Sequence, residues 1–300
     1  LGKITRCAPN FPVSKALGRE ELPEYMVNIE IPDEAKQAQS VVEGVLGDSL
    51  IGIYLFGSAV VGGLKRDSDV DILVTVSDSP TFEQRKALVS QLMSVSGAIG
   101  NPQAIRPIEL TVMTVSDVVP WQFPPRAEFV YGEWLREEFE AGSVPEPAYD
   151  PDFAVVLKKV IDNSLPLYGS DAEELFDPVP MSDIRRAIHD SLPSLLAEAT
   201  GDERNVVLTL SRMWLTAATG AIAPKDVAAE WAEKQASPDH AMLLRYARDG
   251  YLGKVEDRWD GKQEDFETLV SSMKESIEEC LDPGLFMRAL AEWIGGSDRQ

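Results

Sequence analysis

An α+β fold is predicted, from three observations. Between residues 33 and 115 the pattern reads helix, strand, turn, strand, helix, strand, without the regular alternation of a doubly wound sheet. From about residue 180 the chain reads as helices alone. Its 300 residues, 44% of them hydrophobic, are enough for two domains with real cores.

Taken in order, residues 1–32 hold four prolines and little periodicity, and read as an irregular extension. Pro32-Asp33 then opens a helix with Ala35, Ala38, Val41, Val42 and Val45 along one side. The run Ile51 to Phe56 has strand length and β-branched or aromatic character. Gly57-Ser58 and Gly62-Gly63 break the chain. A second strand, Val70 to Val76, is expected to bury Val70, Ile72 and Val74. Residues 81–96 form an amphipathic helix carrying Phe82, Leu88, Leu92, Met93 and Val95, and a third strand runs from Ile108 to Val115. An aromatic, Pro-rich stretch follows Pro120, then a helix from near Asp152. Further on, Val206, Val207, Leu210, Met213, Trp214 and Ala217 recur at helical steps until Gly220. Pro224 and Pro238 each open a helix, residues 262–281 give another, and Pro283 marks a break before a short tail.

Composition narrows the function classes. A net charge of −22, from 28 basic and 50 acidic residues, repels phosphate backbones and disfavours stable nucleic-acid binding. No apolar run is long enough for a transmembrane helix, and the N-terminal residues lack a signal-peptide core, so a cytoplasmic location is expected. Cys7 and Cys280 lie near opposite ends and make no disulfide framework; His189 and His240 share no short motif, so a His/Cys zinc site is not expected.

The chemistry centres on three carboxylates. Asp69 and Asp71 are two residues apart at the start of a strand, and positions i and i+2 share a face. Adjacent anions repel unless a cation lies between them. Mg²⁺ takes oxygen ligands and leaves positions for water and phosphates, which suits phosphoryl chemistry. Gly57-Ser58, after the first strand, opens a turn whose N–H groups favour an anion and whose glycine admits phosphates close to the main chain. Glu109 interrupts an apolar strand, where an unpaired charge costs several kcal/mol; beside two aspartates it would bind metal or accept a proton. Each feature alone has a plainer reading: a solvated Asp-x-Asp turn, a simple Gly-Ser break, an edge-strand glutamate. The ordered combination is much rarer.

The segment YLFGSAVVGGLKRDSDVDILV resembles the signature of the nucleotidyltransferases, and more narrowly of the aminoglycoside 3″/9-adenylyltransferases. RPIELTVMTVSDVVPWQFPPRAEFVYGEWLREEF, GDERNVVLTLSRMWLTAATG, IAPKDVAAEWA and ARDGYLG fit the same family, so the resemblance spans roughly residues 50–281. It implies a nucleotidyltransferase domain of mixed sheet and flanking helices over 33–178, a helical domain over 179–282 and a tail over 283–300, with ATP and acceptor between the domains. It implies Asp69 and Asp71 on Mg²⁺, two ions in all; Gly57, Ser58, Ser68, Arg212 and Lys225 on the phosphates; and Tyr251 near the adenosine. Glu109 becomes the general base, and Trp134, Asp202 and Asn205 line the acceptor pocket.

Plainer alternatives stay open for several of these. Arg212 and Lys225 would otherwise be exposed helix residues, Asp202 a helix cap, Trp134 a core aromatic and Tyr251 a packed helix end. Family members that also modify streptomycin carry a Trp and an Asp just before the counterpart of Asp202. Here residues 191–200, SLPSLLAEAT, have no Trp, and Glu198 is the one acidic residue. The resemblance implies transfer of AMP from MgATP with release of pyrophosphate, conferring resistance, and that departure narrows the acceptor to the 9-hydroxyl of spectinomycin; a monomer is expected. The alternatives are dual streptomycin and spectinomycin activity, or a non-catalytic nucleotide-binding protein of the same fold.

Overall fold

The computed structural model describes residues 29–98, 101, 105–197 and 199–282. Most of the expected extension, the tail, Cys7 and Glu198 lie outside these residues. The described chain divides into two compact units, one ending at Ile184 and one beginning at Arg185.

The first unit is built on a five-stranded sheet. Helix α1 (Asp33–Leu46) leads into β1 (Leu50–Phe56), a single 3₁₀ turn at Gly57–Ala59, and β2 (Val70–Val76). Helix α2 (Phe82–Val95) crosses to β3 (Ile108–Thr114), followed by α3 (Val115–Val118), β4 (Arg126–Ala127) and β5 (Phe129–Tyr131). A 3₁₀ turn at Glu133–Leu135, α4 (Arg136–Glu140), β6 (Ala148–Tyr149), α5 (Asp152–Asp162), β7 (Leu165–Tyr168) and α6 (Ala172–Leu175) complete it. The strand order is β5-β3-β2-β1-β7. β2 and β3 run parallel; the pairings β1 with β2, β3 with β5 and β1 with β7 are antiparallel. The sheet is therefore mixed, as expected.

Both faces of this sheet are covered, which explains why its strands are nearly continuous in apolar residues. On one face Ile53, Leu55, Ile72, Val74, Leu110 and Val112 pack against α1 and α2. On the other, Tyr54, Phe56, Leu73 and Met113 pack against α5 and α6. Truncating a fully buried member such as Ile72 is worth ~2–5 kcal/mol. Val70, Ile72 and Val74 are buried as expected, and coverage of both faces buries Leu73 and Thr75 as fully.

Two local expectations differ from the structure. Phe82, expected on the apolar face of α2, is 50% exposed in its first turn. Arg85 is buried there instead, donating from Nη1 to the Pro80 carbonyl at 3.0 Å and pairing from Nη2 with Glu146 at 2.9 Å. A capping box between Thr81 and Gln84 fixes the helix start and turns Phe82 outward. β7 contains Pro166, tolerated because β7 is an edge strand.

The second unit is helical, as expected. Helix α7 (Met181–Ala197) carries the chain into it, followed by α8 (Glu203–Thr219), α9 (Lys225–Gln235), α10 (Pro238–Tyr251) and α11 (Gln263–Leu281). α8 supplies the core with Val206, Val207, Leu210, Trp214 and Ala217, and ends at Gly220 with φ 79. Trp214 meets Trp231 of α9 edge-on, with ring centroids 5.4 Å apart. Ser237 caps α10, ahead of Pro238 at its first position. Cys280, buried near the end of α11, is not a free thiol. Among the described residues no helix is long and apolar enough to cross a membrane.

Candidate active site

β1 delivers Phe56 opposite Asp71 of β2, and the chain turns at once through Gly57. Gly57 has φ +67, a backbone state that side chains rarely adopt. A Cβ placed on it would lie 2.0 Å from Asp71 Oδ2. The Asp71 carboxylate thus lies directly against the turn at Gly57–Ala59, which is closed by donation from Val60 and Val61 N–H to the Gly57 carbonyl at 3.2 and 2.9 Å.

Parallel pairing of β2 with β3 sets Asp71 level with Glu109. Both are half-buried and belong to the strand positions that alternate with the α1/α2 face, two residues from Leu73 and Thr111 respectively. Asp69, also half-buried, lies just before β2 begins. Ser68 beside it is buried; its hydroxyl accepts from Lys65 N–H at 2.9 Å, which leaves the hydroxyl proton for another acceptor. Ser58, in the turn, is half-buried.

Trp134 joins this end of the sheet. One step beyond the Leu110–Tyr131 pair of β3 and β5, the chain continues into Glu109 on one strand and Gly132 on the other. A Cβ on Gly132 would lie 2.2 Å from the Trp134 ring, so the indole covers that glycine. Trp134 is 56% exposed, which sets aside a core role.

The donor set of Asp69 and Asp71 is two hard carboxylates. Among the described residues no group of three or more His, Cys, Asp or Glu side chains is arranged to hold a metal ion by itself. Two carboxylates and a glycine cradle fit Mg²⁺ that takes its remaining ligands from water and phosphate.

In the helical unit a second group assembles. Lys225, first residue of α9, donates to Asn205 Oδ1 at 2.6 Å, and Asn205 Nδ2 donates to Asp202 Oδ2 at 2.9 Å. Asp202 stands at the N-cap position of α8, with φ −128 and ψ 32, but its side chain makes no capping bond. The capping alternative is therefore corrected: that carboxylate is engaged by Asn205. Arg212 lies seven residues past Asn205 on α8, two turns along the same side, and is half-buried. Tyr251 closes α10 beside Gly250, where a Cβ would meet Arg204 at 3.6 Å and Asp257 at 3.8 Å. Arg204 itself pairs with Asp257 at 3.3 Å. The start of α8, the start of α9 and the end of α10 thus come to one place.

Five residues near the first group were not legible from the sequence. Arg106 Nη1 donates to the carbonyls of Lys65 and Ser68, at 2.7 and 3.1 Å, and so holds the approach to β2. Glu133, 6% exposed, accepts from Ser96 Oγ at 2.5 Å, Tyr131 OH at 2.6 Å and Arg136 Nε at 2.5 Å. Burial pushes the Glu133 carboxyl up, but the bonds from Arg136, Ser96 and Tyr131 outweigh it and hold the group below its ordinary range. Burial, then the Glu133 bond, pushes the Tyr131 hydroxyl up. The one sequence signal was the i, i+3 spacing of Glu133 and Arg136.

A mixed sheet with carboxylates at one strand end, a tight glycine turn against them and a helical unit after it is the build of a nucleotidyltransferase. Comparison with known proteins agrees. The family described as polymerase beta, nucleotidyltransferase, matches residues 46–116, and that described as aminoglycoside adenylyltransferase, C-terminal domain, matches residues 174–276. A spectinomycin 9-adenylyltransferase of Staphylococcus aureus is 51% identical over 257 residues, 86% of this chain and 99% of that protein. An aminoglycoside (3″)(9) adenylyltransferase of Escherichia coli is 40% identical over 254 residues, 84% of this chain and 97% of that protein. The crystal structure of spectinomycin adenyltransferase AAD(9) from Enterococcus faecialis, with ATP and spectinomycin, superposes with a TM-score of 0.78 at 35% identity, covering 82% of this chain and 98% of that one. The chain belongs to the aminoglycoside adenylyltransferase family.

Proposed function

We propose that this protein transfers AMP from ATP to the 9-hydroxyl of spectinomycin, releasing pyrophosphate and conferring resistance. The observation that carries the chemistry is the register pairing of Asp71 with Glu109 beside the Gly57 turn. Supporting the choice of substrate are the relatives named for that reaction and the AAD(9) structure bound to both molecules.

In this reading Glu109 takes the proton of the attacking hydroxyl. The alcohol oxygen forms a bond to the α-phosphorus, the bond from that phosphorus to the bridging oxygen breaks, and pyrophosphate leaves in line. Asp69 and Asp71 would hold Mg²⁺. When bound, the cation supplies charge neutralisation at the α-phosphate and leaving group. Gly57, Ser58 and Ser68 meet the triphosphate, Arg212 and Lys225 bring positive charge to it, and Tyr251 packs near the adenosine. Trp134, Asp202 and Asn205 receive the cationic acceptor. The domains 33–178 and 179–282 divide these duties, in a cytoplasmic monomer that binds neither membrane nor nucleic acid stably.

The direct test is mass spectrometry of spectinomycin incubated with ATP, Mg²⁺ and the protein. A product heavier by one adenylyl group is expected. Unmodified spectinomycin after full conversion conditions would sink the proposal. Growth assays with spectinomycin and streptomycin separately measure acceptor range, and protection against spectinomycin alone is expected.

A further inference from the structure

We infer that Glu133 is a positioning residue that ties the acceptor-binding turn to the strand carrying the general base. The inference rests on the proposed transfer to spectinomycin, since it concerns the alignment of Trp134 with Glu109.

The geometry forms one short chain. Glu133 opens the turn that presents Trp134, yet the two point to opposite environments: Glu133 is 6% exposed and Trp134 56%. The buried carboxylate accepts from Ser96 Oγ at 2.5 Å, and the same Ser96 oxygen accepts from the N–H of Ile108 at 3.0 Å. Ile108 is the residue immediately before Glu109. Arg136 closes the ring, donating to Glu133 Oε1 at 2.9 Å and to the Ser96 carbonyl at 3.2 Å. Tyr131 OH supplies a further bond at 2.6 Å, from the last residue of β5. One buried anion therefore fixes three backbone pieces: the end of α2, the start of β3 and the Trp134 turn. Buried, fully bonded networks rigidify what they join. None of the four side chains has been given contact with either substrate, so the effect is one of placement. A shift of even one ångström at a reacting group is costly to rate.

The test is steady-state kinetics on the full chain with MgATP and spectinomycin, at a temperature where each variant is folded. Glu133→Gln should raise KM for spectinomycin and lower kcat, each by about fivefold or more, with KM for ATP within about twofold. Ser96→Ala cuts the link to Ile108 and leaves Glu133 with Arg136, so it should lower kcat while holding KM for spectinomycin within about twofold. Arg85→Met removes an unrelated pairing of buried Arg85 with the exposed Glu146 in the same unit and serves as the stability control; its kinetics should match wild type. The inference is overturned if Glu133→Gln and Ser96→Ala keep wild-type constants, or if Arg85→Met shifts them equally. Should Glu133→Gln fail to fold, Ser96→Ala decides alone. A wild type that forms no spectinomycin adduct is a different result: it removes the functional reading beneath, and this inference with it.

Discussion

The carboxylate of Asp71 fills the space that any side chain at Gly57 would need, a Cβ there falling 2.0 Å from its Oδ2. Gly57→Ala is expected to displace Asp71 and to strain a residue held at φ +67. Stability should fall by ~1–3 kcal/mol in denaturant titration, and adenylyl transfer should be nearly lost. A variant with wild-type turnover would mean that the turn and the carboxylate are not coupled.

Glu109 stands level with Asp71 and is proposed as the base. Glu109→Gln keeps shape and removes basicity, so kcat should drop by ~10²–10⁴ while calorimetry shows ATP still binding. Retention of full turnover would dismiss Glu109 from that role.

Lys225, Asn205 and Asp202 form a connected string at the starts of α8 and α9. Asn205→Ala and Lys225→Met are therefore expected to be non-additive, with a coupling of ~0.5–3 kcal/mol in kcat/KM for ATP. Strict additivity would show that the 2.6 Å bond between them has no kinetic consequence.

Glu133 gives a pH signature. Its folded carboxyl titrates below the unfolded value of 4.5. The stability this supplies is full above that value and is lost as pH falls through the lower folded one. Glu133→Gln should accordingly cost ~1–3 kcal/mol at neutral pH, with the difference from wild type shrinking under acid. Parallel acid-unfolding curves for the two proteins would contradict this.

Much of the architecture was legible because its signals are local. The strand Val70–Val76, the stop at Gly220 and the openings at Pro224 and Pro238 each rest on residues that act where they stand. Phe82 misled because a single capping box redirected the first turn of its helix. β7 was not anticipated, since Pro166 argues against a strand until an edge position is known. At the site, Asp69, Asp71 and Glu109 were suggested by pattern, but the pairing of Asp71 with Glu109 is a matter of register that no local signal fixes. The Ser96–Tyr131–Glu133–Arg136 network joins distant segments, and only folding reveals it.

The parallel run of β2 beside β3 separates two kinds of evolutionary freedom. The loops on either side of α2 that join them can lengthen or shorten with little penalty, because loop entropy grows only slowly with length. Phase has no such latitude: sliding β3 by one residue would turn Glu109 through the sheet to its far side and bring Leu110 level with Asp71. Insertions between these strands should therefore be common among functional descendants, and odd-numbered slips within them absent.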